Sequence, residues 1–511
     1  MSFYFLILFA TILLSFVPER FIKPIATSYN FSQRIIIVTQ SLIVTLLFLA
    51  VSLIVQRPIF SGLAVLIFHI ILVVVNNTKY KALREPLLFS DIVMFSQAFK
   101  HPRLYFPFLD LKVLIFAPIL IVSLIVAVLI LEPALPITFK RIGITLLCIL
   151  ICYFLIRAIS MIFNENQKHV SSSDSAPFNL GLINSLVVDT FQASTPAHKQ
   201  ALVDTLKSSP FASSTLNTDP SSNTIKRNIT VIQSESFFDA RRLHPSIKKS
   251  VLENFDDCIA NSIQHGKLNV PAWGANTMRT EFSFLSGLKN SDLGLYRSYP
   301  YQYIYDMPVS TIASALKAQG YYCVCIHPHS ASFFGRDRTF PKMGFDEFID
   351  VDCFEGAEKF GPYISDQAVT NKILEITKQI TDKPLFIFAI TMENHGPLHL
   401  EKIDESELAT YYDQSALTSL DDLGIYLRHL KNADKMIKTL SQEYRSSERE
   451  TTLCFYGDHV PSMPNVFDKL DYTDNHSDYF IWHSASSGPI ENKSKTIDIS
   501  TLGASLVNIS K

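Results

Sequence analysis

Long apolar runs at the start of the chain and short ones later divide it into two parts. Up to about residue 160, Leu, Ile, Val and Phe dominate; beyond that the composition is that of a soluble protein. Four runs, Ile35–Val55, Pro58–Val75, Val113–Leu131 and Ile142–Ile159, each have about the length that crosses a ~30 Å hydrocarbon layer. A fifth, Phe3–Val17, ends at Pro18 and lacks the basic start and small-residue cleavage site of a signal peptide, so it reads as an uncleaved span. The pattern predicts five membrane helices over residues 1–160. Between the third and fourth, Lys79–Phe108 is too polar to cross and too apolar for a plain loop, which predicts an interfacial or re-entrant segment.

Residues 161–224 form the next stretch. Leu180, Leu182, Ile183, Leu186, Val187 and Phe191 recur at helical spacing and predict an interfacial helix. Ser208–Thr224, rich in Ser, Asn, Thr and Pro, predicts a linker. From 225 to 511 apolar strand-like runs alternate with helical patterns. Strands are expected at Asn228–Gln233, Tyr321–Ile326, Leu385–Thr391, Thr451–Tyr456 and Tyr479–Trp482. Helices are expected at Val309–Gln319, Asp366–Ile380, Thr418–Tyr444 and Ser500–Ile509. Continuous hydrophobic strands between helices argue for an α/β domain with a mainly parallel central sheet, covered on both faces. Ligands bind such sheets at the carboxyl ends of the strands.

Composition changes this picture in three respects. A net charge of −2 without a basic domain gives no reason to expect a nucleic-acid partner. Placing the C-terminal domain outside leaves only Arg57 and Lys140-Arg141 in the inner loops, and most loop cations outside, against the positive-inside rule. Cys323, Cys325 and Cys454 fall in expected strands, where a thiol serves as a small core residue.

The chemistry lies at the strand ends. The first strand runs into Ser234-Glu235-Ser236, the second into His327-Pro328-His329, the third into Thr391-Met392-Glu393-Asn394-His395-Gly396 and the fourth into Gly457-Asp458-His459. One histidine after a strand is ordinarily structural; four such ends on a ligand-binding edge point to a site. Glu235, Asp458 and His459 supply two carboxylates and an imidazole, a donor set suited to a divalent ion such as Mn²⁺ or Zn²⁺. After Pro271, Trp273-Gly274-Ala275-Asn276-Thr277 makes a tight turn into a helix over Met278–Gly287. Thr277 there either caps the helix or, next to a metal and a helix N-terminus, acts as an activated nucleophile. Arg241-Arg242 reads as a solvated face, Asp434 as a surface charge and Trp482 as core. His329 and Glu393 read either as groups that orient ligands or as exposed loop positions.

The ordered set Ser-Glu-Ser after a strand, Gly-x-Asn-Thr-x-x-x-Glu-Phe, Phe-x-x-Arg-Asp, Asn-His-Gly-Pro and Tyr-Gly-Asp-His resembles the lipoteichoic-acid synthase branch of the sulfatase-like, alkaline-phosphatase superfamily. The five preceding spans and Arg84-Glu85-Pro86-Leu87-Leu88-x-Ser90-Asp91 fit the same branch. The resemblance implies that Thr277 is a nucleophile that becomes covalently esterified. It implies one metal ion, held by Glu235, Thr277, Asp458 and His459, with Mn²⁺ expected and Mg²⁺ or Zn²⁺ as alternatives. His327, Arg336 and His395 match residues that hold a glycerol-phosphate group. The family's Trp two residues before that Arg is replaced by Phe334, which keeps an apolar wall but lacks the indole N–H.

The implied activity is transfer of phosphoglycerol from a membrane lipid, phosphatidylglycerol, to an envelope glycan or polymer. The implied location is a bacterial cytoplasmic membrane with the catalytic domain outside. Phosphoethanolamine transfer by the same chemistry is the nearest alternative, in which Glu281 and Phe334 would face the ammonium. A sulfatase-like phosphodiesterase or hydrolase is the next, although no Cys/Ser-x-Pro-x-Arg surrounds Thr277.

Overall fold

The computed structural model describes the whole chain except residues 1, 25–32, 93, 95–110, 168–179, 213–225, 306, 414–416, 418–419, 486–493 and 510–511. It divides into two compact units, Met1–Gln200 and Ala201–Lys511.

The first unit is helical: Ser2–Glu19, Gln33–Val55, Pro58–Leu83, Leu111–Leu131, Phe139–Gln167 and Leu182–Ala193. Gln33–Val55, Pro58–Leu83 and the long apolar part of Phe139–Gln167 have the length and hydropathy to cross a membrane. The described apolar parts of the other two expected spans, Phe3–Glu19 and Ile115–Leu131, are shorter. Two acids inside this unit, Glu132 and Glu19, are partnered, as an apolar surround demands. Glu132 accepts from the backbone N–H groups of Ile59 and Phe60 at 2.7 and 2.8 Å. Glu19 meets His69 Nε2 at 2.8 Å and accepts from Leu182 N–H at 3.0 Å. The expected interfacial segment is described through residue 92 and at Met94. It folds back on its own helix: Leu87 N–H donates to Asn76 at 2.9 Å, and Asp91 pairs with Lys79 at 2.7 Å. Its remainder, like most of the expected linker, lies outside the described residues.

The second unit is built on an eight-stranded sheet ordered β10-β2-β9-β8-β1-β7-β3-β4. The strands are β1 (Asn228–Ser234), β2 (Gln264–Asn269), β3 (Tyr322–Ile326), β4 (Glu347–Ile349), β7 (Leu385–Ile390), β8 (Thr451–Gly457), β9 (Ser477–His483) and β10 (Ile497–Asp498). A separate two-stranded ribbon joins β5 (Lys359–Phe360) to β6 (Tyr363–Ile364). β8, β1, β7, β3 and β4 are mutually parallel, whereas β9 runs antiparallel to both β8 and β2.

All residues of β1, β7 and β8 are buried. Continuous apolar sequence therefore marked them correctly, because helices cover both faces. β2, Gln-His-Gly-Lys-Leu-Asn, was not expected: it is half-exposed near the sheet edge and carries no hydrophobic run. The five expected strands and four expected helices are present, shifted by up to three residues at their ends. Cys323, Cys325 and Cys454 are buried free thiols and Trp482 is fully buried, as their positions in strands implied.

Two surface readings are corrected. Asp434 is buried in the helix Asp421–Arg445, where its carboxylate accepts from the N–H groups of Asn254 and Phe255 at 3.0 and 2.8 Å. It caps the helix Glu253–Ala260, a tertiary use of an acid that sequence spacing did not disclose. Arg241 and Arg242 are not a solvated face: Arg241 pairs with Asp239 and Asp256, and Arg242 with Asp478 at 2.7 Å.

Candidate active site

β8, β1, β7 and β3 are neighbours in the sheet, and their carboxyl ends bring together residues more than 200 positions apart in the chain. The register pairs Ser234 with Gly457, so Glu235 and Asp458 leave adjacent strands side by side. β9 runs the opposite way, and so the fifth expected strand supplies no group to this edge.

Local packing fixes each group. After Glu235 the chain turns at Ser236, a non-glycine residue with φ 54°, and plunges Phe237 and Phe238 into the core. Residues held in this region cost on the order of 1 kcal/mol and persist only where surroundings enforce them. Here Ser236 N–H donates to Asp458 Oδ1 at 2.8 Å, and its carbonyl accepts from Tyr426 Oη at 2.7 Å. Gly457 precedes Asp458 because no side chain fits: a Cβ there would lie 1.8 Å from the Phe237 carbonyl oxygen. Thr280 Oγ1 donates to the Asp458 carbonyl at 2.7 Å, tying the helix Thr277–Ser286 to the end of β8.

Glu235, Asp458 and His459 are all buried, and they can present one ligand atom each within 4.8 Å of one another. His459 Nδ1 lies 2.9 Å from the Val460 carbonyl, so Nδ1 donates there and Nε2 is the nitrogen that faces the carboxylates. Nε2 is 3.3 Å from Asp458 Oδ2 and 3.6 Å from Glu235 Oε1. Neither Asp458 Oδ2 nor His459 Nε2 has a hydrogen-bond partner among the described residues. Burial, and then the Asp458 carboxylate, push Glu235 up to about 8 despite His459, Ser236 and Thr277. Two crowded buried carboxylates beside an imidazole nitrogen fit a divalent cation, which would relieve their repulsion and take up the unpaired atoms.

Thr277 opens its helix at this cluster, and its side chain is close enough to the Glu235 carboxylate to pull against the rise in its pKa. The helix N-cap is Asn276, at φ 69°, and its side chain makes no capping hydrogen bond. Thr277 is thus the first helical residue, with its side chain beside the acid.

The other expected residues gather beside the cluster. His327 Nδ1 lies 3.2 Å from the Ile390 carbonyl, and His395 Nδ1 lies 2.7 Å from that of Gly396. Burial, with Arg336 and His329 adding to it, holds His327 well below the usual histidine range; burial also lowers His395. Both rings are neutral near pH 7, with Nε2 available to accept a hydrogen bond. Arg336 is buried, with its guanidinium 5.3 Å from the Phe334 ring centre. Phe334 itself is held at φ 61° in the turn before Arg336.

Sequence reasoning missed a second polar cluster behind the His395 loop. His429 is buried with Nδ1 3.1 Å from Glu393 Oε1 and Nε2 2.9 Å from Glu401 Oε1. Burial lowers its pKa, but its hydrogen bonds to the two acids outweigh this and raise it to about 9. Glu393 also accepts from Asp366 N–H and Asn432 Nδ2, both at 2.7 Å. Glu393 is therefore a buried anchor for the Thr391–Gly396 loop, whose Thr391 Oγ1 accepts from Glu235 N–H at 3.0 Å. His429 stands mid-helix with no motif around it, so its pairing with an acid 36 residues away left no signal.

A family model described as Sulfatase matches residues 227–509. Among curated proteins, the chain is 30% identical over 249 residues to a "Putative cyclic beta-1,2-glucan modification protein" of Rhizobium meliloti (strain 1021), covering 48% of this chain and 38% of that protein. It is 26% identical over 465 residues to "Capsular polysaccharide biosynthesis protein RkpI" of the same organism, covering 86% and 80%. Among solved structures, the lipooligosaccharide phosphoethanolamine transferase A of Neisseria meningitidis aligns over 94% of this chain and 88% of its own with TM-score 0.56 at 12% identity, a likeness of fold.

Proposed function

The chain belongs to the sulfatase family, and on that footing we propose that it transfers phosphoglycerol from a membrane lipid to an envelope glycan through Thr277. The observation that carries this reading is the Thr277 side chain set beside Glu235 at the head of a helix, next to the Asp458–His459 pair. In this reading residues 1–160 anchor the enzyme by five spans. Residues 161–224 form the interfacial helix and linker, and residues 225–511 work outside the cytoplasmic membrane.

Glu235, Asp458, His459 and Thr277 would hold one divalent ion, Mn²⁺, which when bound supplies Lewis acidity toward phosphoryl oxygens. Thr277 Oγ attacks the phosphorus of phosphatidylglycerol while its proton passes toward the Glu235 carboxylate. The bond from phosphorus to the diacylglycerol oxygen breaks, and diacylglycerol leaves with a proton taken up from water. A glycan hydroxyl then attacks the phosphorus, the bond from phosphorus to Thr277 Oγ breaks, Thr277 recovers its proton from Glu235, and the glycan proton passes to the hydroxide left by the first step. Arg336 donates to the phosphoryl oxygens, and His327 and His395 accept from the glycerol hydroxyls through Nε2.

The donor assignment is supported by what surrounds the head group. The two imidazoles are neutral hydrogen-bond acceptors, suited to hydroxyls. Glu281, which an ethanolamine ammonium would need, is fully buried and occupied by Arg336. A glycan acceptor agrees with the names of the two curated relatives, one a glucan modification protein and the other a capsular polysaccharide protein.

The test is full-length protein with Mn²⁺ in vesicles of phosphatidylglycerol or phosphatidylethanolamine, scored by diacylglycerol release and by mass spectrometry of trapped protein. Release from phosphatidylglycerol with an adduct on Thr277 is expected. Equal or faster turnover of the ethanolamine lipid overturns the donor, and an adduct elsewhere overturns the nucleophile. A periplasmic phosphatase reporter fused after Ser221 should be active; silence there, with an active cytoplasmic reporter, overturns the orientation.

A further inference from the structure

Glu281 lies one helical turn beyond Thr277, and no step of the transfer uses it. It is fully buried, as is its partner Arg336. Arg336 Nε and Nη2 donate to the two oxygens of Glu281 at 3.0 and 2.8 Å, a side-on, two-point pairing. Tyr301 Oη, also buried, donates to Glu281 Oε1 at 2.7 Å and holds the carboxylate from the other side.

A guanidinium is planar and rigid, so fixing its Nε–Nη2 edge also fixes the direction of the third nitrogen. That nitrogen, Nη1, is buried and has no hydrogen-bond partner among the described residues. Burying unpaired N–H donors costs about 1–3 kcal/mol, which a folded protein tolerates where a ligand completes the bonds. His327 stands close enough to feel the Arg336 charge, and its ring in turn feels His395. Arg336 thus lies near the two imidazoles, and Nη1 is the one nitrogen of its guanidinium left for a ligand.

We propose that Glu281 is a positioning residue: together with Tyr301 it clamps Arg336 so that Nη1 is presented to an anionic phosphoryl oxygen. The clamp also cancels the arginine's charge, so the pocket offers directed hydrogen bonds rather than a free cation. The inference rests on the phosphoryl-transfer reading for its substrate, but the pairing itself can be tested with a simple anion.

The experiment is a double-mutant cycle in the full-length, Mn²⁺-loaded protein. Glu281→Gln should lower kcat for phosphatidylglycerol on the order of 100-fold, the scale of a ~1 Å misplacement, with a much smaller change in KM and with metal content unchanged. In an Arg336→Lys background, which has no fork to clamp, the same substitution should cost nothing further. A full additional loss in that background overturns the proposal, as does unchanged kcat in the single variant with only a lower melting temperature. Should Glu281→Gln not fold, Tyr301→Phe enters the same cycle: it should lower kcat in the parent and leave Arg336→Lys unaffected, and any other pattern counts against the clamp. If the protein cleaves neither lipid, the functional reading fails, and inorganic phosphate then decides the clamp separately. Its affinity should fall about tenfold in Glu281→Gln, the loss of roughly one good hydrogen bond, and should not change between Arg336→Lys and the double variant. Equal phosphate affinity in the parent and Glu281→Gln overturns the clamp.

Discussion

Two clusters in the catalytic unit, each around a buried histidine, have the same ingredients, two acids and a histidine, and reach different electrostatic outcomes. In Glu393–His429–Glu401 both ring nitrogens face carboxylates, so the histidine is a resident cation with its pKa raised to about 9. In Glu235–Asp458–His459 the Nδ1 proton is committed to the Val460 carbonyl, so a single ring nitrogen faces both acids, and Nε2 and Asp458 Oδ2 have no hydrogen-bond partner among the described residues. There the mutual repulsion shows in Glu235, raised to about 8 first by burial and then by Asp458. One hydrogen bond to a main-chain carbonyl separates a histidine bonded to both its acids from a cluster whose unpaired atoms fit an external cation. Composition is the same; the partner of Nδ1 decides.

The comparison breaks most severely at the nucleophile. Thr277→Ala should lower transfer by at least about 1,000-fold while leaving the melting temperature near that of the parent. Residual transfer at a tenth of the parent rate would place the nucleophile elsewhere. Gly457→Ala should be as severe for a different reason, because its Cβ would collide with backbone rather than with a movable side chain. It should lose bound metal as well as activity, measured by metal analysis of purified protein.

Metal dependence separates the clusters next. Chelation should abolish turnover, and Mn²⁺ should restore it. Glu235→Gln, Asp458→Asn and His459→Ala should each weaken metal affinity by more than about 100-fold, exceeding the usual loss from a group that only supports a ligand. His429→Gln should leave metal stoichiometry at one. Metal loss in that variant equal to the loss in His459→Ala would remove the distinction drawn between the two clusters.

The resident cation should reveal itself in pH dependence. His429 has a folded pKa above its unfolded value near 6.5, so its contribution to stability is complete below about pH 6.5 and is lost as pH rises through about 9. A shift of this size corresponds to about 3 kcal/mol. The stability gap between parent and His429→Gln, measured by denaturation from pH 6 to pH 10, should be constant at the acid end and shrink by that amount toward pH 10. A gap that widens with pH would reverse the assignment of charge. The smallest effect is expected at Phe334→Leu. Loss of the aromatic face under Arg336 should cost about 1 kcal/mol, roughly a fivefold rise in KM for phosphatidylglycerol with kcat held. A larger fall in kcat would mean that the ring positions the arginine for catalysis.

Much of the catalytic unit was legible in the chain. β1, β7 and β8 are apolar throughout because they are covered on both faces, and motif order alone assembled Glu235, Thr277, His327, Arg336, His395, Asp458 and His459 as one candidate set. β2 escaped because a half-exposed strand near a sheet edge needs no hydrophobic run. Asp434 was misread for a related reason: a buried acid that caps another helix resembles any exposed acid on a helix until its partner is known. The membrane unit was legible as apolar helices by composition, and its described residues include three long enough to span.

The sequence by itself determined where the apolar segments lie, which strands are core, and which functional groups end them. These are local properties, set by side-chain type and spacing along one element. The tertiary structure decided the rest, because pairing between distant elements depends on sheet order and on shared burial. Strand order placed β8 beside β1 and so set Asp458 against Glu235. A carbonyl engaged Nδ1 of His459, and a shared interior gave His429 its two acids and Arg336 its fork-shaped partner in Glu281.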